Sequence, residues 1–241
     1  MEQLKKSKVI SVANQKGGVG KTTTSINLAA SLAIAEKRVL VIDLDPQANL
    51  TTGFGYDKAE KRNDVYSVLS GDVAVKDAFL DTDLKYLKIL PSSRDLARFE
   101  MENVLEENNH QFLKNSISAC LDDFDYIIID SPPSLSLLTI NALNASTGVL
   151  VPIQTEYYAL EGLSDLMNTI NRIKENFNRD LEIVGILLTM YDERTNLSKQ
   201  VEEAFRNDDK TSRENQLERI QVIYETKNRF IKILTELFRD T

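Results

Sequence analysis

Six short apolar runs rich in β-branched residues punctuate the chain, at residues 9–13, 39–42, 87–90, 126–129, 149–153 and 183–188. They are continuous rather than alternating, as expected of strands buried on both faces in a parallel sheet. Between them lie longer segments of helical period. Residues 22–35 are rich in alanine and leucine, while Leu160, Leu163, Met167, Ile170, Ile173 and Phe177 recur at spacings of three and four and make one apolar stripe. Short strands alternating with helices are the pattern of βαβ units, so the predicted fold class is α/β, a mostly parallel twisted sheet with helices on both faces. The polar stretch 53–64, with Gly53 and Gly55, reads as a mobile surface loop rather than a linker, and residues 1–241 as a single domain. Past residue 205, Leu217, Ile220, Ile223, Tyr224, Phe230, Ile231, Leu234, Leu237 and Phe238 fall at helical spacing and predict an amphipathic helix in an atypical C-terminal segment, 206–241.

Composition narrows the function classes. With 42% hydrophobic and 27% charged residues, the chain is ordinary for a folded globular protein and not for a disordered one. The single cysteine, Cys120, excludes an intramolecular disulfide and reads as a small buried apolar residue. His110 is the only histidine, which argues against a histidine-centred triad or metal cluster; its polar surroundings read as a solvated helix end. The basic N-terminus is followed by an apolar stretch that is short and broken by Asn14, so neither a signal peptide nor a membrane span is expected, and a cytoplasmic location is. A net charge of -8 argues against a globally basic nucleic-acid binder, while a local basic patch could still form where two subunits meet.

The chemistry concentrates at Gln15-Lys16-Gly17-Gly18-Val19-Gly20-Lys21-Thr22-Thr23, between the first predicted strand and the first predicted helix. Strand, glycine loop and helix in that order form the context of a phosphate-binding loop, which gives a P-loop NTPase-like fold. Gly17, Gly18 and Gly20 lack a Cβ, so the backbone can turn N–H groups inward around phosphate oxygens at the positive end of the helix. Lys21 adds a point charge for the β- and γ-phosphates, and the Thr22 hydroxyl is the expected Mg2+ ligand. Asp43 and Asp45 lie at the end of the second strand, at the carboxyl edge where open α/β sheets bind ligands. Asp130 ends the fourth run, and Ser131-Pro132-Pro133 after it reads as a rigid turn.

The loop departs from the ordinary pattern, with Gln15 where the first glycine is expected and an additional lysine, Lys16, just inside it. Lys16-Gly17-Gly18-Val19-Gly20-Lys21-Thr22 resembles the deviant Walker A loop of the ParA/MinD ATPases. Asp43-Leu44-Asp45-Pro46-Gln47, Tyr126 to Pro133, Pro152-Ile153-Gln154, Glu156 to Gly162 and Thr189-Met190-Tyr191-Asp192 are similar to stretches of its ParA/Soj partition branch, over residues 9–205. The resemblance implies an ATPase with ATP and Mg2+ as cofactors. Residues 16–23 (Lys16, Gly17, Gly18, Val19, Gly20, Lys21, Thr22, Thr23) would bind ATP, Lys16 would reach in trans to the phosphates of a homodimer partner, and Asp45 would orient or activate the attacking water. Thr22, Asp45 and Asp130 form the implied Mg2+ set, Asp130 acting through water as the Walker B carboxylate, with Met190 and Asp192 on the adenine side.

The implied role is an ATP-dependent dimerising switch for chromosome or plasmid partitioning. Its partners would be a ParB-like activator protein that stimulates hydrolysis and non-specific DNA, placing it in the cytoplasm in association with the nucleoid. After residue 205 the chain lacks the further core strand, the segment similar to Ile-Pro-Arg-Asn-Val-Arg-Leu-Ser-Glu-Ala-Pro and the Gly-Lys-Pro turn of that branch. The alternative is a MinD-like regulator that docks on a membrane or protein partner through the C-terminal helix, although its glutamates dilute the positive charge a membrane would attract.

Overall fold

The computed structural model describes residues 7–155, 159–192, 194–196 and 222–224, with the side chains of 159–165 and 222–224 outside that description. The strands are β1 (Lys8–Val12), β2 (Val39–Asp43), β3 (Leu80–Asp81), β4 (Leu87–Leu90), β5 (Tyr126–Asp130), β6 (Gly148–Gln154), β7 (Glu182–Thr189) and β8 (Val222–Tyr224). They form one sheet in the order β3-β4-β2-β5-β1-β6-β7-β8, parallel throughout except for β3 against β4. All six predicted runs are strands, with ends shifted by one residue at most. The strand β3 escaped prediction because it is a two-residue antiparallel edge with no apolar run.

The continuous apolar runs resolve into two buried faces, as strand alternation requires. Leu40, Ile42, Ile127 and Ile129 point into one core, covered by α3 (Val65–Leu69), α4 (Leu96–Asn103), α5 (Phe112–Ile117) and α6 (Leu137–Ala145). Val39, Val41, Tyr126 and Ile128 point into the opposite core, beneath α1 (Lys21–Ile34) and the short α2 (Asn49–Gly53). A third cluster joins β6 and β7 to α7 (Ala159–Asn176) through Leu166, Ile170 and Ile173. The predicted stripe on α7 holds at Ile170 and Ile173 but not at Phe177, which is exposed beyond the helix end with its ring 4.3 Å from that of His110. His110 is accordingly half-buried in a 3-10 turn rather than a solvated helix end, whereas Cys120 is buried as expected.

Two further expectations change. Residues 222–224 form a strand paired in parallel with β7, Ile186 opposite Val222 and Leu188 opposite Tyr224, so the helical reading fails at Ile223 and Tyr224 and a further strand of the sheet, at its edge, does follow residue 205. A three-residue parallel edge is selected by pairing with β7, a non-local term that periodicity does not register. The rest of that predicted helix lies outside the described residues. The 53–64 stretch is a surface loop, but a cross-tied one: Arg62 stacks over the Tyr56 ring at 5.1 Å and donates to the Asp57 carbonyl at 3.0 Å, while Lys58 donates to the Gln47 carbonyl at 3.2 Å. Among the described residues, no helix is long and apolar enough to cross a membrane.

Candidate functional site

Sheet register brings the candidate residues together. Asp130 of β5 lies between Val12 of β1 and Asp43 of β2, so the loop after β1 and both acidic strand ends open onto one carboxyl edge. Gly18 (φ +77°) and Gly20 (φ +90°) take the left-handed conformation that residues with a Cβ resist. At Gly20 a Cβ would also come within 3.4 Å of Thr189. Gly20 caps α1 with no side-chain bond to the first turn, and that turn has no acidic residue, so the helix presents its amide donors and positive dipole end uncompensated. The backbone therefore fits a phosphate group.

Two side chains missed in the sequence hold this loop in place. Buried Asn14 donates through Nδ2 to the Pro152 carbonyl at 2.7 Å and accepts at Oδ1 from the Lys16 amide at 2.9 Å. Thr189, at the end of β7, donates to the Val19 carbonyl at 2.9 Å. Asn14 was legible only as a break in the apolar run, and Thr189 only as the start of a family-like stretch. Lys16 is exposed, as are Gly17 and Gly18, while Val19 is buried. Lys21 is buried, and its Nζ donates to the Lys16 carbonyl at 2.8 Å. Burial pushes the Lys21 ammonium below its usual pKa, with Asp130 and Asp45 acting in the opposite direction.

Asp130 is fully buried and capped on both oxygens from one turn of α1. The Thr22 hydroxyl donates to Oδ2 at 2.7 Å and the Ser25 hydroxyl to Oδ1 at 2.8 Å. Ser25 carried a signal that could have been used, since it falls three residues after Thr22 on the same helical face. Asp43 is also fully buried; its Oδ2 accepts from the Thr51 amide at 2.8 Å and the Thr51 hydroxyl at 2.7 Å, and its Oδ1 from the Asp45 amide at 3.2 Å. Asp45 lies beyond the end of β2 in an Asx turn, its Oδ1 accepting from the Gln47 amide at 2.9 Å. The two aspartates thus part company: the first is an internal clamp and the second sits on a turn at the edge.

Desolvation raises the Asp130 carboxyl to about 7, helped by neighbouring Asp43 and opposed by the two hydroxyls. It raises Asp43 to about 6, against the lowering by Thr51 and by the Asp45 amide. A carboxyl raised on folding contributes stability that is complete below its unfolded value and is lost as pH rises through the folded value. Without added nucleotide, the melting temperature should therefore carry a component that falls between pH about 4 and about 7, worth up to ~1.4 kcal/mol per pH unit for each group. Thermal melts across that range should show a flatter profile in Asp130→Asn; an unchanged slope would count against the assignment.

On the proposed base side, Met190 has φ +52° and is exposed, directly after the Thr189 contact with the loop. Asp192 is forked by Arg194, with Nε at 2.9 Å from Oδ1 and Nη2 at 2.7 Å from Oδ2, which holds its carboxyl down at about 2. Residues 156–158 of the Glu156 to Gly162 stretch lie outside the described residues, and α7 begins at Ala159.

Comparison with known proteins places this geometry in a lineage. Residues 7–183 match a family described as "AAA domain". The sporulation initiation inhibitor protein Soj of Bacillus subtilis is 52% identical over 194 residues, 80% of this chain and 77% of that protein. The chromosome partitioning protein ParA of Myxococcus xanthus is 48% identical over 199 residues, 83% of this chain and 70% of that protein. Among solved structures, cobyrinic acid a,c-diamide synthase from Mycobacterium smegmatis, with bound ATP analog and magnesium, is similar with a TM-score of 0.83 and 37% identity, covering 95% of this chain and 92% of the other. Sequence identity over most of the chain, the phosphate-loop geometry and the shared fold together establish that this protein belongs to the ParA/Soj family of P-loop ATPases.

Proposed function

We propose that the chain binds and hydrolyses ATP as a dimerising switch for chromosome or plasmid partitioning. The observation that carries this reading is the junction of β1 and α1, where left-handed glycines, buried Lys21 and the Thr22 to Asp130 bond converge beside exposed Lys16. The loop amides and Lys21 would hold the β- and γ-phosphates, with Lys21 exchanging the Lys16 carbonyl for phosphate oxygen. Thr22 and Asp130 would hold Mg2+, Asp130 through water, and the bound ion supplies neutralisation of phosphate charge. A homologous fold solved with an ATP analog and magnesium bound supports ATP and Mg2+ as the ligands.

Lys16 is exposed on the loop, as a cation supplied to a partner's phosphates must be, and Asp45 on its edge turn would orient the attacking water. The closing of two subunits over two nucleotides then sets when hydrolysis occurs, and a ParB-like activator sets how fast. DNA would be the surface on which the dimer is retained, through basic side chains gathered from both subunits. The test is retention of the Asp45→Ala protein, which should hold ATP with only a small residual turnover, on non-specific duplex DNA. Binding should require ATP and should fall with salt at a slope of ~0.9 per phosphate contacted. ATP-loaded protein that ignores DNA at low salt would remove partitioning from the reading while leaving the ATPase.

A further inference from the structure

We infer that Asp43 and Thr51 are positioning residues for hydrolysis, which act by clamping both ends of the turn that presents Asp45. This inference rests on the hydrolytic reading above and concerns two buried groups behind the Asp45 turn. The turn leaves β2 at Asp43 and re-enters regular structure in α2. Its inner bonds are local and short in reach: the Asp45 carbonyl accepts from the Ala48 amide at 2.8 Å, and Asp45 Oδ1 from the Gln47 amide at 2.9 Å. Ala48 within it takes a left-handed φ of +53° that alanine does not favour, so the turn is held in shape by its surroundings and not by its own preference.

Those surroundings are Asp43. One carboxylate takes the amide that starts the turn, from Asp45 at 3.2 Å, and the two donors that end it, from Thr51 at 2.8 and 2.7 Å. Asp43 is 0% exposed and Thr51 1%, so water cannot replace either bond and the clamp is rigid. The Thr51 hydroxyl in turn accepts from the Ser92 amide at 2.9 Å, just past the end of β4. The Asp45 turn is thereby tied to two neighbouring strands of the sheet, β2 and β4, instead of riding on a loop. A group that orients water must be held to a fraction of an ångström, and misplacement by about 1 Å costs ~100-fold in rate.

The decisive variant is Thr51→Val, which removes the hydroxyl but keeps the branched shape. The expected result is a kcat lowered ~10- to 100-fold with ATP affinity within ~3-fold of the unsubstituted chain. Thr51→Ser should restore most of the rate, because it returns the hydroxyl without the methyl. Placed in the Asp45→Ala background, Thr51→Val should lower the residual rate by less than ~2-fold, since the group it positions is gone. Turnover retained in Thr51→Val, loss of ATP affinity in parallel with rate, failure of serine to rescue, or an additive loss in the double variant would each overturn the inference. Should Thr51→Val lack a cooperative melt, Asp43→Asn decides by the same split of rate from affinity, since its amide sets a donor against donors. Turnover lost in Asp45→Ala but kept in Thr51→Val overturns this inference alone; no turnover in the unsubstituted chain overturns the hydrolytic reading with it.

Discussion

Lys21→Ala is expected to lower affinity for ATP by at least ~100-fold, because a buried ammonium that bonds two phosphates contributes charge-assisted hydrogen bonds worth ~1.5–3 kcal/mol each. Titration with a fluorescent ATP analogue reads this directly. The loop should keep its ties to Asn14 and Thr189 in the variant and lose only the bond from Lys21 Nζ to the Lys16 carbonyl. Thermal stability without nucleotide should change little or rise, because burial already holds the Lys21 ammonium below its usual pKa. The variant should lose the stabilisation that ATP confers on the unsubstituted chain. Retained tight binding would mean that the glycine loop and helix end suffice without the cation.

Lys16→Ala is expected to do the opposite: ATP affinity within a few-fold of the unsubstituted chain, with hydrolysis lowered by ~10³- to 10⁵-fold, the range for a cation supplied in trans to a phosphoryl transition state. The Lys16 side chain is exposed while its main chain is fixed at both ends, the amide by Asn14 Oδ1 and the carbonyl by Lys21 Nζ. Truncating the side chain should therefore leave the loop intact. Single-turnover assays with sedimentation in ATP separate the two steps. Normal turnover in Lys16→Ala would refute a role in trans, and a rate loss without any change in dimerisation would place the lysine in chemistry alone.

The strands and the phosphate loop were legible because they depend on local signals. Parallel strands buried on both faces leave unbroken apolar runs, and the loop needs glycines, Lys21 and Thr22 at fixed spacing. What stayed hidden depends on register and on partners distant in the chain. Asn14 reads as a polar interruption until Pro152 lies beside it, and Ser25 as an ordinary helical serine until β5 delivers Asp130. Asp43 and Asp45 look like a matched pair two residues apart, yet the strand ends between them and gives them different surroundings. The reading of residues 217–238 as one helix failed at 222–224 because parallel pairing to β7, a partner distant in the chain, outweighs the local apolar period there.

The bond from Thr189 to Val19 gives the far half of the sheet a mechanical part in the site. Leu188, the residue before Thr189, is the last position at which β7 is paired to β8, opposite Tyr224. Residues 222–224 are therefore linked to the phosphate loop by way of the β7 tip, Thr189 and Val19. That edge strand and the phosphate loop are thus anchored to the same β7 tip, which sets residues 222–224, peripheral in the linear sequence, two links from the loop.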